Sequence, residues 1–124
     1  MAAKTPEDCD RLFAEAVNRG DAAAVAALYE SGGVLTLDGG VYSGPEQIRA
    51  VLEGMVAAQA RLTMNVVKVL RGGDDVAMVY NDWQMTVTGP DGKTQESSGK
   101  ALEVVRRQAD GSWKYVVDDP NARG

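Results

Sequence analysis

Apolar residues recur every three or four positions in the first half of the chain and every two in the second half. Cys9, Leu12, Phe13, Ala16 and Val17 form one stripe at helical spacing. The segment before them starts a helix: Thr5 caps it, Pro6 suits its first turn, and Glu7 and Asp8 meet the positive end of its dipole. Asn18-Arg19-Gly20 ends that helix. Asp21 caps a second, Ala-rich one that runs through Val25, Leu28 and Tyr29 and stops at Ser31-Gly32-Gly33. Gly44-Pro45-Glu46 opens a third, in which Ile48, Val51, Leu52, Met55 and Val56 keep the same period.

Between the second and third helices, Val34 to Asp38 reads as a short strand, and Gly39-Gly40 turns the chain into an extended piece, Val41-Tyr42-Ser43. Beyond residue 60 the period is two. Arg61 to Arg71 and Val76 to Thr88 are long strands joined at Gly72-Gly73-Asp74-Asp75, and a further turn lies at Gly89-Pro90-Asp91-Gly92. Gly99 to Pro120 is a closing hairpin folded on Asp110-Gly111. This order predicts an α+β fold: a curved antiparallel sheet with three helices from the N-terminal half packed on its concave face. Residues 1–124 read as a single domain, with no internal repeat or linker.

Alternation also sorts the strands into faces. Ala77, Val79, Asn81, Trp83, Met85 and Val87 share the face expected to meet the helices. Asn81 is the polar exception there, which makes it a candidate pocket group, while Trp83 suits packing. On the next strand Ala101, Glu103 and Val105 oppose Leu102, Val104 and Arg106, and both faces are part apolar. Pattern therefore leaves Glu103 with two orientations. Facing the helices, it is a carboxyl in an apolar cavity with a raised pKa; facing away, it is a solvated acid. In the last strand Trp113, Tyr115, Val117 and Asp119 alternate with Lys114, Val116 and Asp118, and the pair Asp118-Asp119 is either a polar site or a strand-end turn.

Composition narrows the chemistry. The chain has no histidine, which removes Ser-His-Asp and Cys-His catalysis and makes a zinc or iron site improbable, so no metal and no cofactor is expected. Acid-base work would fall to carboxylates, Tyr or Lys. A net charge of -5 with dispersed basic residues argues against nucleic acid. Cys9 is the single cysteine, so there is no internal disulfide. No apolar run approaches the roughly 18 residues of a membrane span, and the N-terminus lacks a signal-like apolar region; a cytoplasmic protein without membrane contact is expected.

The segments Asn18-Arg19-Gly20-Asp21, Leu37-Asp38-Gly39, Ser43-Gly44-Pro45-Glu46-Gln47-Ile48 and Asp110-Gly111-Ser112-Trp113-Lys114, taken in order, resemble the nuclear transport factor 2-like superfamily, in its SnoaL-like and ketosteroid-isomerase-like branch. The resemblance covers nearly the whole chain. It implies a cone formed by a curved sheet and three helices, homodimerisation through the outer sheet face, and an internal pocket for a small apolar or amphipathic molecule.

By the same resemblance Asp38 takes the place of a carboxylate base and Glu103 that of a protonated oxyanion donor. The family's helix-one tyrosine, a second donor, falls on Phe13. A phenyl ring donates no hydrogen bond, and one lost donor costs about 100- to 1000-fold in rate. Tyr29, Tyr42 and Asn81 are the candidates to replace it. Met64, Trp83 and Met85 are expected as walls, with Phe13 and Asp119 also at the pocket. The implied functions are a binding protein, a ketosteroid-isomerase-like or polyketide-cyclase-like enzyme using Asp38, or a non-catalytic dimerisation module. An epoxide-hydrolase arrangement would draw on Asp38, Arg61 and Glu103.

Overall fold

The computed structural model describes residues 2–124. Among these residues three helices and six strands follow in the order α1 (Pro6–Asn18), α2 (Ala22–Ala26), β1 (Tyr29–Leu37), β2 (Gly40–Ser43), α3 (Gly44–Ala57), β3 (Arg61–Gly72), β4 (Val76–Thr88), β5 (Thr94–Arg107) and β6 (Trp113–Asp119). Thr5 caps α1 through its side chain, which accepts from the Asp8 N–H, and Asp21 caps α2 by accepting from Ala24. The apolar stripe of α1 is buried along its whole length and packs on β3 and β6.

All six strands form one sheet in the order β2-β1-β6-β5-β4-β3. It is not antiparallel throughout: β1 runs parallel to β6, because the connection between them carries a helix and four strands rather than a tight turn. The second helix stops at Ala26 instead of Tyr29, since Tyr29 already pairs with Tyr115 on β6. Likewise β5 begins at Thr94 rather than Gly99, extended by an unbroken ladder to β4 from Thr88↔Thr94 onward. The fold class and the three-helix cover are as the residue pattern implies.

In β4, Ala77, Val79 and Asn81 are buried while Met78 and Tyr80 are half-exposed, so the predicted inner face does meet the helices. Its register pairs Ala77 with Val105, Val79 with Glu103, and Asn81 with Ala101. Glu103 therefore lies on the helix side. At the centre of the core Phe13, Tyr29 and Tyr115 meet with ring centroids 5.0–6.5 Å apart. Each such pair adds about 0.5–1.5 kcal/mol beyond area burial.

One irregularity decides the polar geometry. Along β6, Tyr115 pairs with Val105 but Val117 pairs with Val104, leaving Val116 as an extra residue. This bulge reverses the alternation after Tyr115. Tyr115 and Asp118 both point inward, while Val117 is exposed.

Candidate functional site

A cavity of about 380 Å³ lies between the helices and the inner face of the sheet. Its walls are apolar: Phe13 from α1, Leu52 and Met55 from α3, Leu35 and Leu37 from β1, Leu62 and Met64 from β3, and Trp83 and Met85 from β4. Asp38 borders it from the exposed β1–β2 turn, where its φ of 50° occupies the left-handed region that Asp tolerates. Glu103 and Asp118 border it from the buried side. Ser97, Ser98 and Ala101 of β5, with Pro120 and Asn121, complete the lining, and the Trp83 indole donates to the Pro120 carbonyl at 2.7 Å. That indole fits because residue 99 is glycine: a Cβ there would lie 2.6 Å from the ring.

Glu103 is 1% exposed and stands directly opposite Asp118, 3% exposed, on the neighbouring strand. A third carboxyl, Asp10 of α1, is equally buried at 1%. Each accepts from a neutral donor. The Tyr115 hydroxyl donates to Asp10 at 2.6 Å, the Asn81 amide to Glu103 at 2.9 Å, and the Tyr29 hydroxyl to Asp118 at 2.5 Å. Among the described residues, no lysine or arginine forms an ion pair with any of the three.

Three buried carboxylates without a cation are too costly to remain ionised together, and protons are the remaining source of neutrality. Burial pushes Glu103 well above the usual carboxylate range, with the charges of Asp10 and Asp118 adding to the effect. Burial raises Asp10 too, against hydrogen bonds from Glu103, Tyr115 and Asn81 that hold it down. Asp118 is pushed up to about 7, again chiefly by burial. Tyr29 and Tyr115 are raised well above their ordinary value by desolvation and stay neutral donors. Cys9 is raised to about 12 by burial, which makes it a packed thiol and no nucleophile.

The positions singled out in the sequence separate into groups. Asp38, Glu103, Phe13, Met64, Trp83 and Met85 border one cavity. Tyr29 and Asn81 do not line it; they stand behind it, bonded to Asp118 and Glu103. Tyr42 is outside the lining as well, because its ring folds over Gly40 on the edge strand. Asp119 points to the other side of β6, where it accepts from the Thr36 hydroxyl at 2.8 Å, since the bulge at Val116 gives the inward position to Asp118. Arg61 is fixed to the Asn18 carbonyl at 2.7 Å in a separate, open polar groove, so Asp38, Arg61 and Glu103 do not assemble as a hydrolytic triad.

Asp10 escaped the residue pattern although a signal exists. It lies one turn before Phe13 and next to Cys9, inside the apolar stripe, where an acid has no reason to be unless it is bonded or protonated.

A family model described as a SnoaL-like domain matches residues 10–116. No curated protein matches the chain. Among solved structures, a ketosteroid isomerase-like protein from Erwinia carotovora atroseptica is similar with a TM-score of 0.80 at 24% identity, over 91% of this chain and 89% of that one. A conserved protein from Planctomyces limnophilus gives a TM-score of 0.82 at 18% identity, over 91% and 89%. An NTF2-like protein with a cystatin-like fold from Novosphingobium aromaticivorans gives 0.76 at 17%, over 90% and 75%. At these identities the structural likeness speaks for the fold.

Proposed function

The chain belongs to the SnoaL-like domain family, and from that premise we propose that its cavity binds a small apolar or amphipathic molecule, with a hydrogen-bond-accepting oxygen turned toward Asp118 and Glu103. The observation that carries this reading is an apolar cavity bordered on its buried side by two carboxyls that have no cationic partner. Its volume of about 380 Å³ suits a compact one- or two-ring molecule. The apolar walls take the body of such a ligand without selecting strongly among shapes. A protonated carboxyl donates to a ketone or ether oxygen, and a ligand without that oxygen leaves the donor unpaired in a dry site.

The test is a titration of a cyclic ketone and its hydrocarbon isostere, read from Trp83 emission, with Trp83→Phe as the control for signal from Trp113. The ketone should bind roughly tenfold or more tightly at pH 6 than the hydrocarbon. The advantage should shrink at pH 8.5, above the value near which Asp118 loses its proton. Equal affinity for the two compounds at pH 6, or no binding of either, would sink the reading.

Asp38 supports a second reading, because it borders the same cavity as the buried acids. A ketone held with its oxygen at Glu103 and Asp118 would lose an α-proton to Asp38, its electrons moving onto the oxygen as the enolate. Return of that proton to another carbon would complete an isomerisation without a cofactor. Phe13 supplies no donor, so the two carboxyls would carry the oxyanion alone. Hydrogen-deuterium exchange of the ketone in the presence of wild type and Asp38→Asn decides the matter: an unchanged exchange rate in the variant removes Asp38 as base.

A second copy of the chain is the proposed partner. Leu70, Met78, Val104, Val117 and Val34 form a continuous cross-strand row over five strands on the outer sheet face. All five are at least partly exposed. No helix among the described residues is long and apolar enough to cross a membrane.

A further inference from the structure

We propose that Asp10, which does not touch the cavity, is a positioning residue: it shares a proton with Glu103 and thereby fixes the protonation of the two acids that do. The proposal deepens the reading of the cavity as a ligand site and rests on it only for the final, ligand-dependent readout.

Among the described residues, three buried side-chain atoms have no partner that donates to them: Asp10 Oδ2, Glu103 Oε1 and Asn81 Oδ1. All three are acceptors, and they belong to groups that already hydrogen-bond one another. A cluster whose unmatched atoms are all acceptors is short of protons. Asp10 and Glu103 lie within hydrogen-bond reach. One proton between these carboxyls turns two of the unmatched acceptors into a donor and its acceptor.

Position then assigns the roles. Tyr115 donates to Asp10 from β6, which favours the charged form of Asp10 and leaves the shared proton on Glu103. Glu103 also lies within hydrogen-bond reach of Asp118. The groups facing the cluster are Cys9 from α1, Tyr29 from β1, Asn81 from β4, and Tyr115 and Asp118 from β6, with no cation among them; the charge of Asp119 acts on Asp118 from the other face of that strand. The buried charge on Asp10 thus has one effect on its neighbours, which is to keep their protons in place. Ligand and Asp10 meet on opposite sides of Glu103, so Asp10 sets the polarity of a surface that it never contacts.

The experiment is a carbon-13 titration of side-chain carboxyls on the ligand-free protein. In wild type, exchange from H₂O to D₂O near neutral pH should produce an isotope shift on both Asp10 Cγ and Glu103 Cδ, as a shared proton requires. In Asp10→Asn, where the amide oxygen can still accept from Tyr115, the midpoints of Glu103 and Asp118 should fall by about one pH unit or more. The pH at which a ketone loses its binding advantage should fall with them, while hydrocarbon affinity is unchanged. An isotope shift on neither or only one carbon overturns the shared proton, and this wild-type readout stands even if the variant does not fold. Unmoved midpoints in a folded variant overturn the positioning role. Absence of ketone binding to wild type would sink the ligand reading and leave both titration results standing.

Discussion

Glutamine has nearly the shape of a protonated glutamic acid, and this makes Glu103→Gln a direct probe of what residue 103 carries. A carboxyl whose folded-state pKa is raised takes up a proton on folding. Its contribution to stability is complete below the unfolded value, about 4, and is lost as pH rises toward the folded value. For Asp118 the loss runs from about 4 to about 7. Glu30, held low by Arg106, has the opposite sign, its contribution disappearing only in acid. The interval from pH 5 to 8 therefore isolates the buried cluster. Urea unfolding should show wild type less stable at pH 8 than at pH 5, by an amount on the order of a few kcal/mol. Glu103→Gln should flatten that slope, and an equal slope in the variant would contradict a protonated Glu103. At Gly99, alanine would place a methyl group 2.6 Å from the Trp83 ring and from the Asn121 side chain. The indole must leave the Pro120 carbonyl, with a cost of about 1–3 kcal/mol and a change in Trp emission as the measurable outcomes.

The bulge in β6 gives adjacent acids unrelated surroundings. Asp118→Asn should abolish the pH dependence of ketone binding, whereas Asp119→Asn, which weakens one half-buried bond to Thr36, should leave it intact and cost about 1 kcal/mol in urea. In α1, Thr5→Ala removes the side-chain cap on Asp8 and should cost about 1 kcal/mol, also read in urea. The bulge explains where sequence reasoning stopped. Period-two alternation placed Asn81, Trp83 and Met85 on the correct face of β4, a regular strand between two partners. In β6 the same rule sets Asp118 and Asp119 on opposite faces, and the expectation of Asp119 at the pocket fails because an extra residue such as Val116 leaves no trace in hydropathy. Glu103 was undecidable from β5 alone, and its facing follows from its pairing with Val79. Tyr29 looked like the end of an Ala-rich helix because its strand partner, Tyr115, lies far along the sequence. The helices were legible because their caps and stripes are local; the acid cluster was not, since its three acids and their donors come from five elements.

At the scale of the molecule, the exposed row from Leu70 to Val34 predicts self-association. Light scattering should report a dimer at micromolar concentration, and Val117→Lys, which puts a charge in the middle of the row, should shift it to monomer. A wild-type monomer would leave that row without its proposed occupant. The strand order has a consequence for biosynthesis. β6 is the last of the six strands of the sheet in sequence order and sits between β1 and β5, near its middle. Until residues 113–119 have left the ribosome, β1 and β5 both expose unsatisfied edges to other chains, and no earlier strand can close the gap. The aromatic centre is incomplete over the same interval because Tyr115 is missing. A chain that lacks residues 113–119 is therefore prone to aggregate through both open edges, and the folding rate should be governed by the late insertion of one seven-residue segment.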